Sequence, residues 1–259
     1  MTDNSKARAD NRLKKLVTSP AGRAFLALTL VLIIGAIFNA DGAFFKIGTH
    51  RDALRQMSVY GILACGLTPV IISGGIDLSV GSVLALAAVC CAKMAIHWNW
   101  HGVATILLTL MVGAFCGGAS GLITARWRVQ PFIATLAMMV FARGLAKYAS
   151  GGMKVSTAIM NADGTYRYVN VPKLFRFVDH RILDGNISAV TVIFLACAAM
   201  AWVLMSKHSW GRYIYAIGGN EMAARMSGVP VATAKTFAYI FSGMCAALAG
   251  LCQAAQELA

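Results

Sequence analysis

Charge is what this sequence has least of. Charged side chains make up 13% of its 259 residues and hydrophobic ones 58%, a balance too apolar for a soluble domain. Acids are the scarcer sign, 10 Asp and Glu against 23 Lys and Arg. The resulting net charge of +13 does not point to nucleic acid, because the bases gather in the amino-terminal tail and between apolar runs, where orientation signals belong. Catalytic signatures are missing too. The chain has no Gly-x-x-x-x-Gly-Lys-Ser/Thr phosphate loop, no His-Glu-x-x-His, no nucleophile elbow and no paired acids on one apolar run. Nucleotide binding by this chain and enzymatic catalysis are therefore not expected. All seven cysteines fall inside apolar runs, so they read as small packing residues and not as a disulfide framework. No cleavable signal peptide is evident, since the first apolar run is too long and too far from Met1.

What is present is a series of apolar runs near the ~20 residues that a bilayer requires. They cover residues 24–40, 55–73, 78–96, 102–124, 131–149, 187–205 and 236–255. The expected fold is all-α, a polytopic membrane helix bundle of about seven spans, with the lipid bilayer as its solvent. Residues 1–23 form a basic tail and 24–259 a single transmembrane domain. Within that domain, about 150–186 is a folded external loop and about 206–235 a cytoplasmic loop. The Lys and Arg bias places the amino end in the cytoplasm. Trp98 and Trp100 suit an interfacial aromatic belt, whereas His97 and His101 lack a third ligand, so no metal site is expected. Gly113, Gly117 and Gly121 recur every fourth residue and would let a neighbouring helix approach closely.

Two segments interrupt this pattern. In the first, an apolar run reaches Ser73, is broken by Gly74 and Gly75, and resumes after Asp77. Non-helical backbone at membrane depth survives only where it is buried in protein or lines a cavity, and broken helices form substrate paths in many transporters. Gly74, Gly75, Asp77 and Ser79 are therefore the candidate substrate path, with Asp77 expected to cap the following helix. The second lies between Trp210 and Pro230. Asn220 can cap, Glu221 favours a first turn, Gly228 suits a left-handed stop and Pro230 blocks continuation. A two-turn helix over 220–228 is expected, isolated from the spans and too short to stand without something to dock on.

Three stretches in order carry a resemblance: residues 72–82, the Gln130-Pro131-Phe132-Ile133-Ala134-Thr135-Leu136 run with Arg143-Gly144-Leu145-Ala146, and residues 211–228. Together they resemble the permease subunit of ribose-type ABC sugar importers. The resemblance implies a permease dimer in the bacterial inner membrane that imports a monosaccharide such as ribose, xylose, arabinose or galactose. A periplasmic sugar-binding protein would feed it and a cytoplasmic ATPase, which holds the ATP and magnesium, would drive it. Gly218, Gly219, Asn220, Glu221, Ala223, Ala224 and Gly228 would then couple the chain to that ATPase. Family members continue through further spans, so the resemblance implies that the carboxyl-terminal part of a complete permease is not contained in these residues. Two alternatives stand beside it: an ion-coupled secondary transporter with Asp77 as the proton or sodium site, and an inactive truncated permease.

Overall fold

The computed structural model describes residues 19–160, 163, 165–182 and 185–258. Most of the basic tail, including Lys6, Arg8, Arg12, Lys14 and Lys15, lies outside the described residues. The chain divides into two units, Met1–Ala53 and Leu54–Ala259. In the first, helix α1 (Pro20–Ile37) opens inside the stretch expected to be tail. The reason is local chemistry: the Ser19 side chain accepts from the Gly22 N–H at 3.0 Å and Pro20 stands in the first turn. Arg23 is therefore helical, and a charge at a helix start did not delay it.

Helix α2 (Ile47–Ile72) runs from the first unit into the second. The second unit continues with α3 (Val80–Ala92, extended by a π-helical turn over Lys93–His97), α4 (Gly102–Arg126) and α5 (Pro131–Ser150). After a loop come α7 (Ala189–Lys207), α8 (Ser209–Gly219), α9 (Glu221–Met226) and α10 (Val231–Leu258). Seven helices among the described residues are long and apolar enough to cross a membrane. The protein is an all-α polytopic bundle, with two-stranded hairpins as its only sheet among those residues.

The loop is folded. Strands β1 (Ala158–Met160) and β2 (Tyr166–Tyr168) pair antiparallel, as do β3 (Arg181–Ile182) and β4 (Ile187–Ser188). Between them, α6 (Lys173–Val178) buries Phe175 and Val178 among Ala92, Ile96 and Leu251. Arg55 pairs with Asp179 at the end of α6, and the Arg55 carbonyl accepts from Gln256 Nε2 at 3.2 Å. The loop is thus pinned to α2 and α10 at its end of the bundle.

The bundle is organised around α10, whose buried residues are mostly Ala, Gly, Ser and Cys, with Val231, Tyr239, Phe241 and Leu251 as the larger ones. Small residues let backbones meet where no hydrophobic force drives helix association. A Cβ built on Gly113 would strike the Gly243 carbonyl oxygen, and one on Gly117 the Tyr239 carbonyl oxygen. One on Gly121 would lie 2.9 Å from Thr236 Cα. The three glycines therefore face one partner, α10. On another face of α10, Gly250 abuts the Leu84 carbonyl of α3.

Replacing Gly117 by Val forces α4 and α10 apart against backbone that cannot rotate away, at a cost of about 1–3 kcal/mol or more. The Gly117→Val protein is expected to show a lowered thermal midpoint or to lose its monodisperse peak in detergent. Gly118→Ala is the control. Its methyl meets Ile240 Cγ1 at an ordinary 3.4 Å, so the midpoint should stay in place.

Candidate functional site

The end of α2 follows from two glycines. Gly74 takes φ +77°, its N–H donates to the Ile71 carbonyl at 3.0 Å, and the Gly75 N–H donates to the Val70 carbonyl at 2.9 Å. This pair of bonds is a Schellman stop, which needs a left-handed residue at the position Gly74 holds. The chain then runs without regular structure through Ser79 before α3 begins.

Asp77 is buried in this break. Its Oδ1 accepts from the Ser79 N–H at 2.9 Å and the Ser79 hydroxyl at 2.6 Å. Its Oδ2 accepts from the Ser242 hydroxyl on α10 at 2.9 Å. The expected capping role moves accordingly. Ser79 holds the N-cap position of α3 without a side-chain cap bond, and Asp77 closes a turn two residues earlier, as Asp side chains do in loops. The neighbouring Ile76 carbonyl accepts from the Tyr239 hydroxyl at 3.2 Å, and the Thr135 hydroxyl stands 3.4 Å from it while lying closer, at 2.9 Å, to the Pro131 carbonyl of its own helix. Gly75 is needed here because a Cβ would stand 2.7 Å from the Tyr239 hydroxyl oxygen. Of the candidate path residues, Asp77 and Ser79 are buried and bonded to each other, Gly75 is half-buried, and Gly74 is exposed. Ile76 and Leu78, which the sequence reading passed over, are exposed as well.

Ser242 lies about 17 Å along α10 from Val231 at ~1.5 Å per residue, so the break packs against the interior of a helix long and apolar enough to cross a membrane.

The second candidate region is two helices, not one. The stretch before Asn220 forms α8, whose start is capped by His208 Nδ1 accepting from the Trp210 N–H at 3.3 Å. Periodicity could have revealed it, since Gly211, Ile214 and Ile217 are buried together on one face. Asn220 caps α9 by accepting from the Ala223 N–H at 3.0 Å. Gly228 ends it at φ +82°, with the Val229 N–H bonded to the Ala224 carbonyl at 3.0 Å. Ala224 is buried with Ile217, Val231 and Ala234, while Ala223, Met222 and Met226 are exposed. Glu221 bridges α9 to α10: Lys235 Nζ donates to it at 2.5 Å and Arg225 Nη2 at 3.1 Å. The Lys235 hydrogen bond, reinforced by the Lys235 charge and by Arg225, holds the Glu221 carboxyl below its usual range against a smaller opposing effect of burial.

The two regions touch. A Cβ on Gly218 would collide with the Ile72 carbonyl oxygen, so α8 lies directly on the last turn of α2; Gly219 beside it meets open space. Ile214 of α8 packs with Val70, Ala238 and Tyr239 in one buried cluster. Tyr239 therefore joins α8 through its ring and the break through its hydroxyl. Among the described residues no group of His, Cys, Asp and Glu could hold a metal ion.

Residues 51–258 match the family described as branched-chain amino acid transport system / permease component. The chain belongs to this permease family. Its relatives carry sugar names. It is 38% identical over 235 residues to a ribose import permease protein of Haemophilus influenzae, covering 88% of this chain and 67% of the relative. To a fructose import permease protein of Rhizobium meliloti it is 31% identical over 242 residues, covering 91% and 63%. To a galactofuranose transporter permease protein of Escherichia coli it is 32% identical over 238 residues, covering 89% and 65%. The chain thus spans about two thirds of the length of these relatives. No solved structure matches it.

Two measurements test this permease's geometry. Ser242→Ala leaves a buried Asp77 oxygen unpaired. It should cost about 1–2 kcal/mol in reversible unfolding, above the ~0.6 kcal/mol average of interhelical hydrogen bonds in a bilayer. Because Glu221 has a depressed folded-state pKa, its bridge stabilises the α9–α10 junction above the ordinary carboxylate pKa, and this is lost as pH falls through the depressed value. Hydrogen exchange of the α9 amides, corrected for intrinsic rates, should rise on acidification in the wild type. Glu221→Gln should remove that pH dependence.

Proposed function

We propose that this chain is the permease component of an ATP-driven monosaccharide importer in the bacterial inner membrane, with its amino end in the cytoplasm. In this reading α8 and α9 face the cytoplasm and dock on a separate ATPase, which holds the ATP and magnesium. A periplasmic sugar-binding protein delivers the sugar at the opposite end, and a second copy of the chain completes the assembly. The observation that carries the reading is the contact between Gly218 and the Ile72 carbonyl. It puts the capped, partner-seeking segment against the helix that ends in the glycine break. Motion imposed on α9 has a short packed route through Ile217 and Ile214 to Tyr239, and from its hydroxyl to the Ile76 carbonyl.

The sugar names of the relatives support the substrate class. A neutral polyol needs hydrogen-bond partners and no countercharge, and a weak site releases it sooner. Exposed backbone at Gly74, flanked by Ile76 and Leu78, supplies such weak contacts. Asp77 and Ser79 act behind it by holding the break in shape. Both Asp77 oxygens are engaged by internal donors, which weighs against a proton or sodium site and for the ATP-driven reading.

Reconstitution of the natural full-length permease with its ATPase tests this. Glu221→Ala and Gly228→Val should each insert normally yet lose most uptake and ATPase association; wild-type uptake by both would remove the docking role. Tyr239→Phe deletes one hydrogen bond of about 1 kcal/mol. It should reduce sugar moved per ATP hydrolysed roughly fivefold while the ATPase still co-purifies.

A further inference from the structure

Away from the break, α3, α4 and α5 enclose a cavity of about 730 Å³ that neither the break nor α8 and α9 line. Its walls include Leu108, Phe115, Phe141 and Leu145, and the only side chain among its lining that carries full charge is Lys93. Away from the Lys93 end, a sugar would find almost nothing to hydrogen-bond there. Phe115 is 72% exposed and Phe141 55%, so this apolar surface is open to whatever surrounds the bundle. Within a bilayer that surrounding is lipid.

One end of the cavity has a different chemistry. The π-helical turn over Lys93–His97 closes α3, with the Trp98 N–H donating to the Lys93 carbonyl at 3.0 Å. Such turns are rare and concentrate at functional sites. Here the turn sets Lys93 at the cavity beside Trp98, Trp100 and Tyr148. The two indole rings lie 5.4 Å apart and both residues are exposed. Trp and Tyr gather at the headgroup level of a bilayer. The Lys93 ammonium donates to the Ala149 carbonyl at the end of α5 at 2.6 Å, which uses one of its three N–H groups. Capping α5 explains that one bond. It does not explain an apolar groove leading away from the same cation.

We propose that this groove is a binding site for an anionic phospholipid. The phosphate sits on the remaining Lys93 donors between the tryptophans, and an acyl chain lies along Leu108, Phe115, Phe141 and Leu145. Charge complementarity selects the headgroup, and the groove excludes water from the tail. The inference goes beyond the transport reading and rests on the groove's facing lipid in the bilayer.

The test uses the purified full chain in nanodiscs with brominated-acyl phosphatidylglycerol or brominated-acyl phosphatidylcholine, read by tryptophan quenching. The anionic lipid should quench at a mole fraction several-fold lower than the zwitterionic one. Replacing Trp98 and Trp100 together by Phe should remove that difference, as should Lys93→Gln, while Lys93→Arg keeps it. Equal midpoints for the two lipids, or a preference surviving in Lys93→Gln, overturns the proposal. So does a failure of either lipid to quench Trp98 and Trp100, the outcome if a second copy of the chain covers the groove. Should Lys93→Gln fail to insert, Val112→Phe decides in its place by narrowing the groove. It should weaken the preference, and an unchanged one counts against the site.

Discussion

The hydroxyl of Tyr239, donating to the carbonyl of Ile76, is the contact on which the rest of the arrangement depends. Backbone that has left the helix inside a membrane has no water to satisfy it, so each freed carbonyl needs a protein donor. Tyr239 meets that need from α10, Thr135 helps from α5, and Asp77 anchors the next residue to Ser242, one helical turn beyond Tyr239. Two helices, α10 and α5, thus converge on a segment that is itself without regular structure. Gly75 admits the tyrosine hydroxyl because it has no side chain.

Tyr239 can reach that carbonyl only because its own backbone is held close to α4. Gly117 lets the Tyr239 carbonyl approach, a Cβ on Gly121 would stand 3.0 Å from that of Tyr239, and Gly113 and Gly243 face one another further along. Loosening this interface would move the tyrosine and release the break. The same residue is buried in one cluster with Ile214 of α8. Packed cores are close to incompressible, so a displacement of α8 has to be passed on or resisted at Tyr239. A segment outside the spans and a glycine break between two of them are in this way one mechanical unit.

The opposite end of the bundle is built on another principle. There the folded loop inserts Phe175 and Val178 into the core and is tied by the Arg55–Asp179 pair. Burial of two apolar side chains and a partly buried ion pair hold it. The two ends of one bundle therefore differ in what would have to give for either to move.

The sequence by itself determined the spans, because length and apolar content decide what can cross a bilayer. It also determined the stops at Gly74 and Gly228 and the cap at Asn220, because those depend on a residue's own φ or its own side chain. It placed Gly113, Gly117 and Gly121 on one helix face, because a spacing of four is fixed by helix geometry. Where it fell short, the deciding partner was distant in the chain. Nothing local announced that Ser242 would bind Asp77, that Tyr239 would bind Ile76, or that α8 would lie on Ile72. The start of α1 at Pro20 was legible in Ser19 and Pro20, but the charge of the tail masked it. Which face of the break is buried, and which side chain joins α8 to it, are set by contacts between residues far apart in the chain, up to 165 positions for Asp77 and Ser242, and those belong to the tertiary structure alone.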